Sequence, residues 1–279
     1  MATSTSAAAT SALVKSDPNF EITFNGIVRR WRNGHLTYID KTYLSATPIT
    51  TDEYEEVTED FTLRHGIELV DYRIELLECA TPVHEWLSGE FDYWVESTYG
   101  RDLLKLRSAS VIYQPGHEKQ PDASFLPRNL PDPDRHNRLM YQTNTFRHFP
   151  TIVYEVAVTD ENRNRLFSDA NDKYFAVHTS VAIWVGLKID LNFFLFWAGW
   201  GRRNLNGTGM RLEEQTEDAT GVASYLPVYP YPRVGLLGQF TIPSTLIYNP
   251  LPVPVNKPAN LVIAIETLRV AIEEGIDLM

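Results

Sequence analysis

The sequence predicts a single α/β domain with a mixed sheet, and two kinds of observation carry that expectation. First, nearly continuous apolar runs, TIVYEVAV and SVAIWVGLKI, read as strands buried on both faces. Second, amphipathic segments that begin with helix-start residues stand between such strands, in the order helix, strand, strand, strand, helix, strand. The chain has 279 residues, of which 43% are hydrophobic and 22% charged, enough apolar content for one core and too much for a disordered chain.

Residues 1–17, rich in Ala, Ser and Thr, read as a disordered tail without a signal-peptide core. Residues 18–50 alternate apolar and polar positions around Asn25-Gly26 and Asn33-Gly34, which predicts an N-terminal β extension built from short hairpin strands. The domain proper is expected over 51–279, with its core at about 51–190. Its start, TDEYEEVTEDFTLRHG, has a capping residue and an acidic first turn, the signature of a short helix. IELVDYRIELLECA then reads as a hairpin turning at Asp71-Tyr72.

Pro82 opens the next helix, and Val83, Trp86, Leu87, Phe91, Trp94 and Val95 recur at helical spacing until Gly100. Three strands are expected in LLKLRSASVIY, PDASFLP and TIVYEVAV, followed by a short helix in FSDANDKYFAVH with Ser168 as its cap. SVAIWVGLKI is the fourth core strand. Beyond Arg203 the sequence predicts turns, a strand pair around GQFTIPSTLIY, and a strand-helix cap in NLVIAIETLRVAIEEG.

The net charge of −11 argues against a general nucleic-acid coat protein and against a basic membrane binder. The most apolar stretch is interrupted by Lys188 and Asp190, so no membrane-spanning helix is expected. Cys79 is the only cysteine, which excludes an internal disulfide and suits a reducing compartment. The expectation is an intracellular protein of cytoplasm or nucleus.

Two acids stand out. Asp122 heads a strand in QPDASF, and Glu155 lies inside an otherwise apolar strand, where a carboxylate costs several kcal/mol unless it is paired, protonated or metal-bound. If the two strands are neighbours, the carboxylates converge and suit Mg²⁺ or Mn²⁺; Mg²⁺ commonly takes one or two protein carboxylates plus water and substrate phosphate.

This order of motifs resembles the PD-(D/E)XK nuclease superfamily, in which a Pro-Asp pair and a following acid-x-lysine occupy adjacent strands of an α-β-β-β-α-β core. It is more specifically similar to the restriction-endonuclease-like family that is abundant in cyanobacteria and occurs in some fungi. There a Glu-Leu-(Ile)-Asp-Gly-Glu motif and a Pro-x-x-His precede the first helix. Here Glu68-Leu69-Val70-Asp71 stands in the first place and Pro82-Val83-His84, one residue shorter than the Pro-x-x-His, in the second. Pro121-Asp122 and Glu155-Val156 match the acid motifs, and Asp169 and Lys173 match the Asp-x-x-x-Lys of the next helix.

The resemblance implies a restriction-endonuclease-like fold and a divalent-metal-dependent DNA endonuclease. Asp122 and Glu155 are then the metal ligands, Lys173 assists the nucleophile, and Glu68 and His84 are further site candidates. Ala157 replaces the strand lysine, Tyr72 replaces the motif glycine, and Val-Thr-Asp follows the strand acid in place of Ser-Pro-Ser. These departures keep a second expectation open, a catalytically degenerate relative that acts as a binding or interaction module. Glu68 either joins the metal site or pairs with Arg64 or Arg73, and Glu85 and Glu90 are other candidates for a third acid. His84 either orients an acid or a substrate phosphate or lies exposed in a first helical turn.

DNA is the partner expected, with RNA as the other nucleic acid and a homodimer open. Arg101, Lys105, Arg107, Lys119, Arg128, Arg135, Arg138 and Arg147 form the candidate phosphate-contacting stretch, extended by Arg29, Arg30, Trp31 and Arg32. The competing reading is that these charges are only solvated.

Overall fold

The computed structural model describes residues 42–43, 50, 67–76, 81–106, 111–114, 117–128, 150–158, 163–177, 179–229, 235–236, 238–249 and 251–279. The tail, most of the N-terminal β extension and the acidic helix expected from Thr51 lie outside these residues. In chain order the elements are β1 (Thr42–Tyr43), β2 (Ile67–Val70), β3 (Arg73–Leu76), α1 (Pro82–Tyr99), β4 (Leu103–Lys105), β5 (Val111–Gln114), β6 (His117–Lys119), β7 (Ala123–Pro127), β8 (Ile152–Val158) and α2 (Arg163–Asp169). A π turn (Ala170–Tyr174) continues α2. Then come β9 (Ile183–Asp190), β10 (Leu195–Arg203), β11 (Met210–Gln215), β12 (Leu226–Pro227), β13 (Gln239–Pro243), α3 (Ser244–Tyr248), β14 (Asn260–Ala264) and α4 (Ile265–Asp277).

The central sheet is seven-stranded and mixed, in the order β11-β10-β9-β8-β7-β4, with β12 alongside β10. Among the described strands only β8 and β9 pair in parallel, and α2 with its π turn stands between them in the chain. That crossover explains why both strands are apolar along their length: helices cover the two faces of the sheet.

On one face, Ile152, Tyr154, Val156 and Val158 of β8 join Val83, Leu87, Phe91, Val95 and Tyr99 of α1 and Leu268, Ala271 and Ile272 of α4. On the other, Val153 and Ala157 meet Trp184, Trp197 and the Leu166, Ala170, Tyr174 and Phe175 of the α2 segment. The alternation of β8 therefore assigns Glu155 to the second face.

Helix α1 starts where the Thr81 hydroxyl accepts the His84 amide at 3.2 Å and Pro82 occupies the first turn. It stops at Gly100, whose φ of 58° a side chain would disfavour. The β2–β3 hairpin turns at Asp71 and Tyr72 with φ of 50° and 60°, the pattern of a type I′ turn. The closing strand-helix cap is present as expected, with Ile265, Leu268 and Ile272 buried.

Three sequence expectations are corrected. LLKLRSASVIY is not one strand: Leu103–Lys105 joins the central sheet, whereas Val111–Gln114 joins β1, β2, β3 and β6 in a second sheet. Ser168 does not cap a helix but lies inside α2, where its hydroxyl donates to the Arg165 carbonyl at 3.0 Å. GQFTIPSTLIY is a strand followed by the short helix α3, and its strand partner is β14. LNFFLFWAGWGRR, to which the sequence pattern assigns no element, contributes β10, a central-sheet strand.

Candidate functional site

Asp122 sits at the bend that leads into β7, and β7 runs antiparallel to β8 with Ala123 opposite Tyr154. Two hydrogen bonds tie the residue to β8 on either side of Glu155. The Asp122 amide donates to the Tyr154 carbonyl at 3.1 Å, and the Val156 amide donates to Asp122 Oδ2 at 2.6 Å. The Asp122 backbone and carboxylate thus bracket Glu155, and the two acids belong to neighbouring strands at one end of β7.

His84, from the first turn of α1, reaches the same carboxylate, with Nε2 2.9 Å from Asp122 Oδ1. It is buried rather than exposed, with 8% of its surface accessible. Burial pushes the Asp122 carboxyl up, but the His84 charge and hydrogen bond, the Val156 amide and the Lys119 charge outweigh it, so its pKa falls below the ordinary aspartate value. Tyr154 beside it is driven well above the usual tyrosine value, first by burial and then by the Asp122 charge.

Glu155 is buried, 7% exposed, and its two oxygens face different partners. Lys119 Nζ, from β6, lies 3.3 Å from Oε2. The Tyr174 hydroxyl, at the end of the π turn, donates to Oε1. The Lys119 charge also acts on Asp122, so one ammonium serves both acids. Neither Lys119 nor Tyr174 was singled out for this place from sequence. Lys119 carried a signal, since it stands two residues before the Pro121-Asp122 pair, and Tyr174 directly follows Lys173.

Lys173 itself pairs with Asp169 one helical turn away, Nζ to Oδ2 at 3.3 Å. Glu68 is in β2, paired with Glu75 of β3. Glu85 Oε1 is 3.8 Å from His84 Nδ1, at the rim of the His84–Asp122 pair. On β9, Lys188 is the register partner of Ala157, is 3% exposed and donates to the Ile189 carbonyl at 2.9 Å. Gly186 is the register partner of Glu155, and the Trp184 ring lies over it: a Cβ on Gly186 would come within 2.1 Å of that ring.

The candidate phosphate-contacting stretch is partly engaged within the chain. Lys105 pairs with Asp92 and Lys119 with Glu155, while exposed Arg128 donates to the Arg101 carbonyl at 2.9 Å. Arg107, Arg135, Arg138, Arg147 and the Arg29–Arg32 segment lie outside the described residues.

Among the described residues, no group of three or more His, Cys, Asp and Glu side chains is gathered as a metal cage, and no helix is long and apolar enough to cross a membrane. No known family and no curated protein matches the chain.

Proposed function

We propose that the chain is a divalent-metal-dependent endonuclease that hydrolyses phosphodiester bonds, with DNA as substrate. We also propose that α1, β4, β7, β8, α2 and β9 correspond to the α-β-β-β-α-β core of restriction-endonuclease-like proteins, with the β5–β6 hairpin inserted. The observation that supports the reading is the bracketing of Glu155 by Asp122, with the one Lys119 ammonium acting on both acids.

The residues fit Mg²⁺ or Mn²⁺. Carboxylates are the donors that Mg²⁺ and Mn²⁺ prefer, and Mg²⁺ commonly takes only one or two of them from the protein, the number that Asp122 and Glu155 supply. Asp122 and Glu155 would hold the ion, which when bound supplies an activated water and charge stabilisation at the scissile phosphate. His84 holds the Asp122 carboxylate in place and favours its ionised form. Tyr174 and Lys119 orient Glu155 from opposite oxygens. Lys119 brings to the acids the positive charge that Ala157 does not carry, and Lys173, on the turn that positions Tyr174, assists the nucleophile in this reading.

A specific observation favours the second reading, a degenerate binding or interaction module: His84 and Lys119 already compensate the two acids without an ion. The test is thermal unfolding with and without Mg²⁺ or Mn²⁺. An ion that binds only the native state stabilises it by about 2.7 kcal/mol at one hundred times its Kd. The nuclease reading expects that rise in the native chain and its loss in Asp122→Asn and Glu155→Gln. No rise in the native chain at millimolar metal supports the module instead.

A further inference from the structure

Helix α2 does not end as an α-helix. Its continuation, Ala170–Tyr174, is a π turn closed by the Phe175 amide on the Ala170 carbonyl at 3.3 Å. A π turn holds one residue more than an α turn, so the side chain at its end is rotated away from its α position, and such turns persist only where surrounding contacts maintain them. The residue at that end is Tyr174, whose hydroxyl meets Glu155.

The contacts that maintain the turn come from the β10–β11 hairpin. Arg203 Nη2 donates to the Tyr174 carbonyl at 3.3 Å and to Thr179 Oγ1 at 2.6 Å. Its Nη1 donates to the carbonyls of Phe175, Ala176 and Gly207 at 3.2, 3.1 and 2.9 Å, and its Nε to that of Val181 at 2.9 Å. Thr179 Oγ1 itself donates to the Tyr174 carbonyl.

The hairpin adds two further clamps. The Gly209 amide donates to the Phe175 carbonyl at 3.0 Å, and the Met210 amide to Asn171 Oδ1 at 2.8 Å. The guanidinium also lies 5.3 Å from the centre of the Phe175 ring. Its partners here are oxygens at a helix C-terminus, where the aligned carbonyls favour a cation. Only the planar fork of arginine addresses several diverging carbonyls at once, and a lysine ammonium offers no such geometry.

We propose that Arg203 is a positioning residue for Glu155: by holding the carbonyls of Tyr174, Phe175 and Ala176 it fixes the π turn, and the π turn delivers the Tyr174 hydroxyl to Glu155. The consequence for metal binding rests on the nuclease reading above, whereas the link from Arg203 through Tyr174 to Glu155 does not.

The experiment places 3-fluorotyrosine at position 174 alone in the full chain and follows its ¹⁹F resonance. Glu155→Gln, which removes the charged acceptor, defines the shift for a weakened hydroxyl contact. Arg203→Lys is expected to move the resonance in the same direction by at least half as much, with far-UV circular dichroism unchanged. Thr179→Val, which removes the hydroxyl between Arg203 and the Tyr174 carbonyl, is expected to give a smaller shift of the same sign. It carries the test if Arg203→Lys does not fold.

A resonance unmoved in the folded variants, whatever their Tm, overturns the proposal and leaves Arg203 a purely structural residue. Failure of both variants to fold overturns it too, because the contact then belongs to the stability of the domain. A native chain that binds no Mn²⁺ refutes the nuclease reading and leaves this result standing.

Discussion

His84 and Asp122 join the first helix to the strand that begins the site, with Nε2 2.9 Å from Oδ1 across 38 positions of sequence that include an entire second-sheet hairpin. Because the same carboxylate takes the Val156 amide, one side chain fixes α1, β7 and β8 relative to one another.

Acid should loosen this junction in a defined direction. The folded-state pKa of Asp122 lies below the ordinary aspartate value of about 3.9, so its contribution to stability is fully present above that value. It is lost as pH falls through the lower folded value. Urea midpoints measured from neutral pH downward should therefore drop more steeply below about pH 4 for the native chain than for Asp122→Asn. Parallel curves would show that Asp122 is not held in its ionised form.

Removing the imidazole should weaken the fold without dissolving it. His84→Ala deprives a carboxylate of a charge-assisted hydrogen bond, a loss of roughly 1.5 to 3 kcal/mol. For a chain of this size that lowers Tm by about 3 to 12 °C, at 2 to 4 °C per kcal/mol. A change within 1 °C on calorimetry would mean that the contact is formed and broken without consequence.

The hairpin turn carries strain that a single substitution relieves. Tyr72 is 44% exposed at a φ of 60°, a conformation that costs a non-glycine residue roughly 1 to 2 kcal/mol. Tyr72→Gly should raise the urea midpoint, with a gain of about 1 kcal/mol once the added freedom of the unfolded glycine is subtracted. A lower midpoint would show that the exposed ring makes contacts outweighing the backbone strain.

Close approach rather than turn geometry explains Gly186. A methyl there meets the Trp184 ring at 2.1 Å, and overpacking of this kind typically costs 1 to 3 kcal/mol. Gly186→Ala should both destabilise the chain and alter the near-ultraviolet tryptophan dichroism, because the ring must move. Unchanged dichroism would place the ring elsewhere.

What could be read from sequence follows from how local each determinant is. The Pro82 helix start, the Asp71-Tyr72 turn and the apolar β8 and β9 runs are written in adjacent residues. So is the oddity of Glu155, a charge in a strand that is otherwise apolar. The split of 103–114 between two sheets is not local, because a strand's partner is chosen by distant chain. β10 is not legible locally because Phe196, Trp197, Ala198, Gly199 and Trp200 form an unbroken apolar run with no period of two. Lys119 reaches Glu155 from the second sheet, whose β5 packs against the π turn, and Tyr174 reaches it because α2 ends in that turn. For His84 the sequence leaves open an exposed position, a substrate phosphate or an unnamed acid, and its Asp122 partner, 38 positions away, is set by the fold.

The most direct measurement is cleavage of supercoiled plasmid DNA by the purified native chain with Mg²⁺ or Mn²⁺ shown to be bound, beside Asp122→Asn and Glu155→Gln proteins prepared identically. The account predicts metal-dependent nicking or linearisation by the native chain, abolished by a chelator and absent from both variants. A native chain that binds the ion yet cuts neither single- nor double-stranded DNA, nor RNA, would contradict it, as would cleavage retained at the native rate when both acids have become amides.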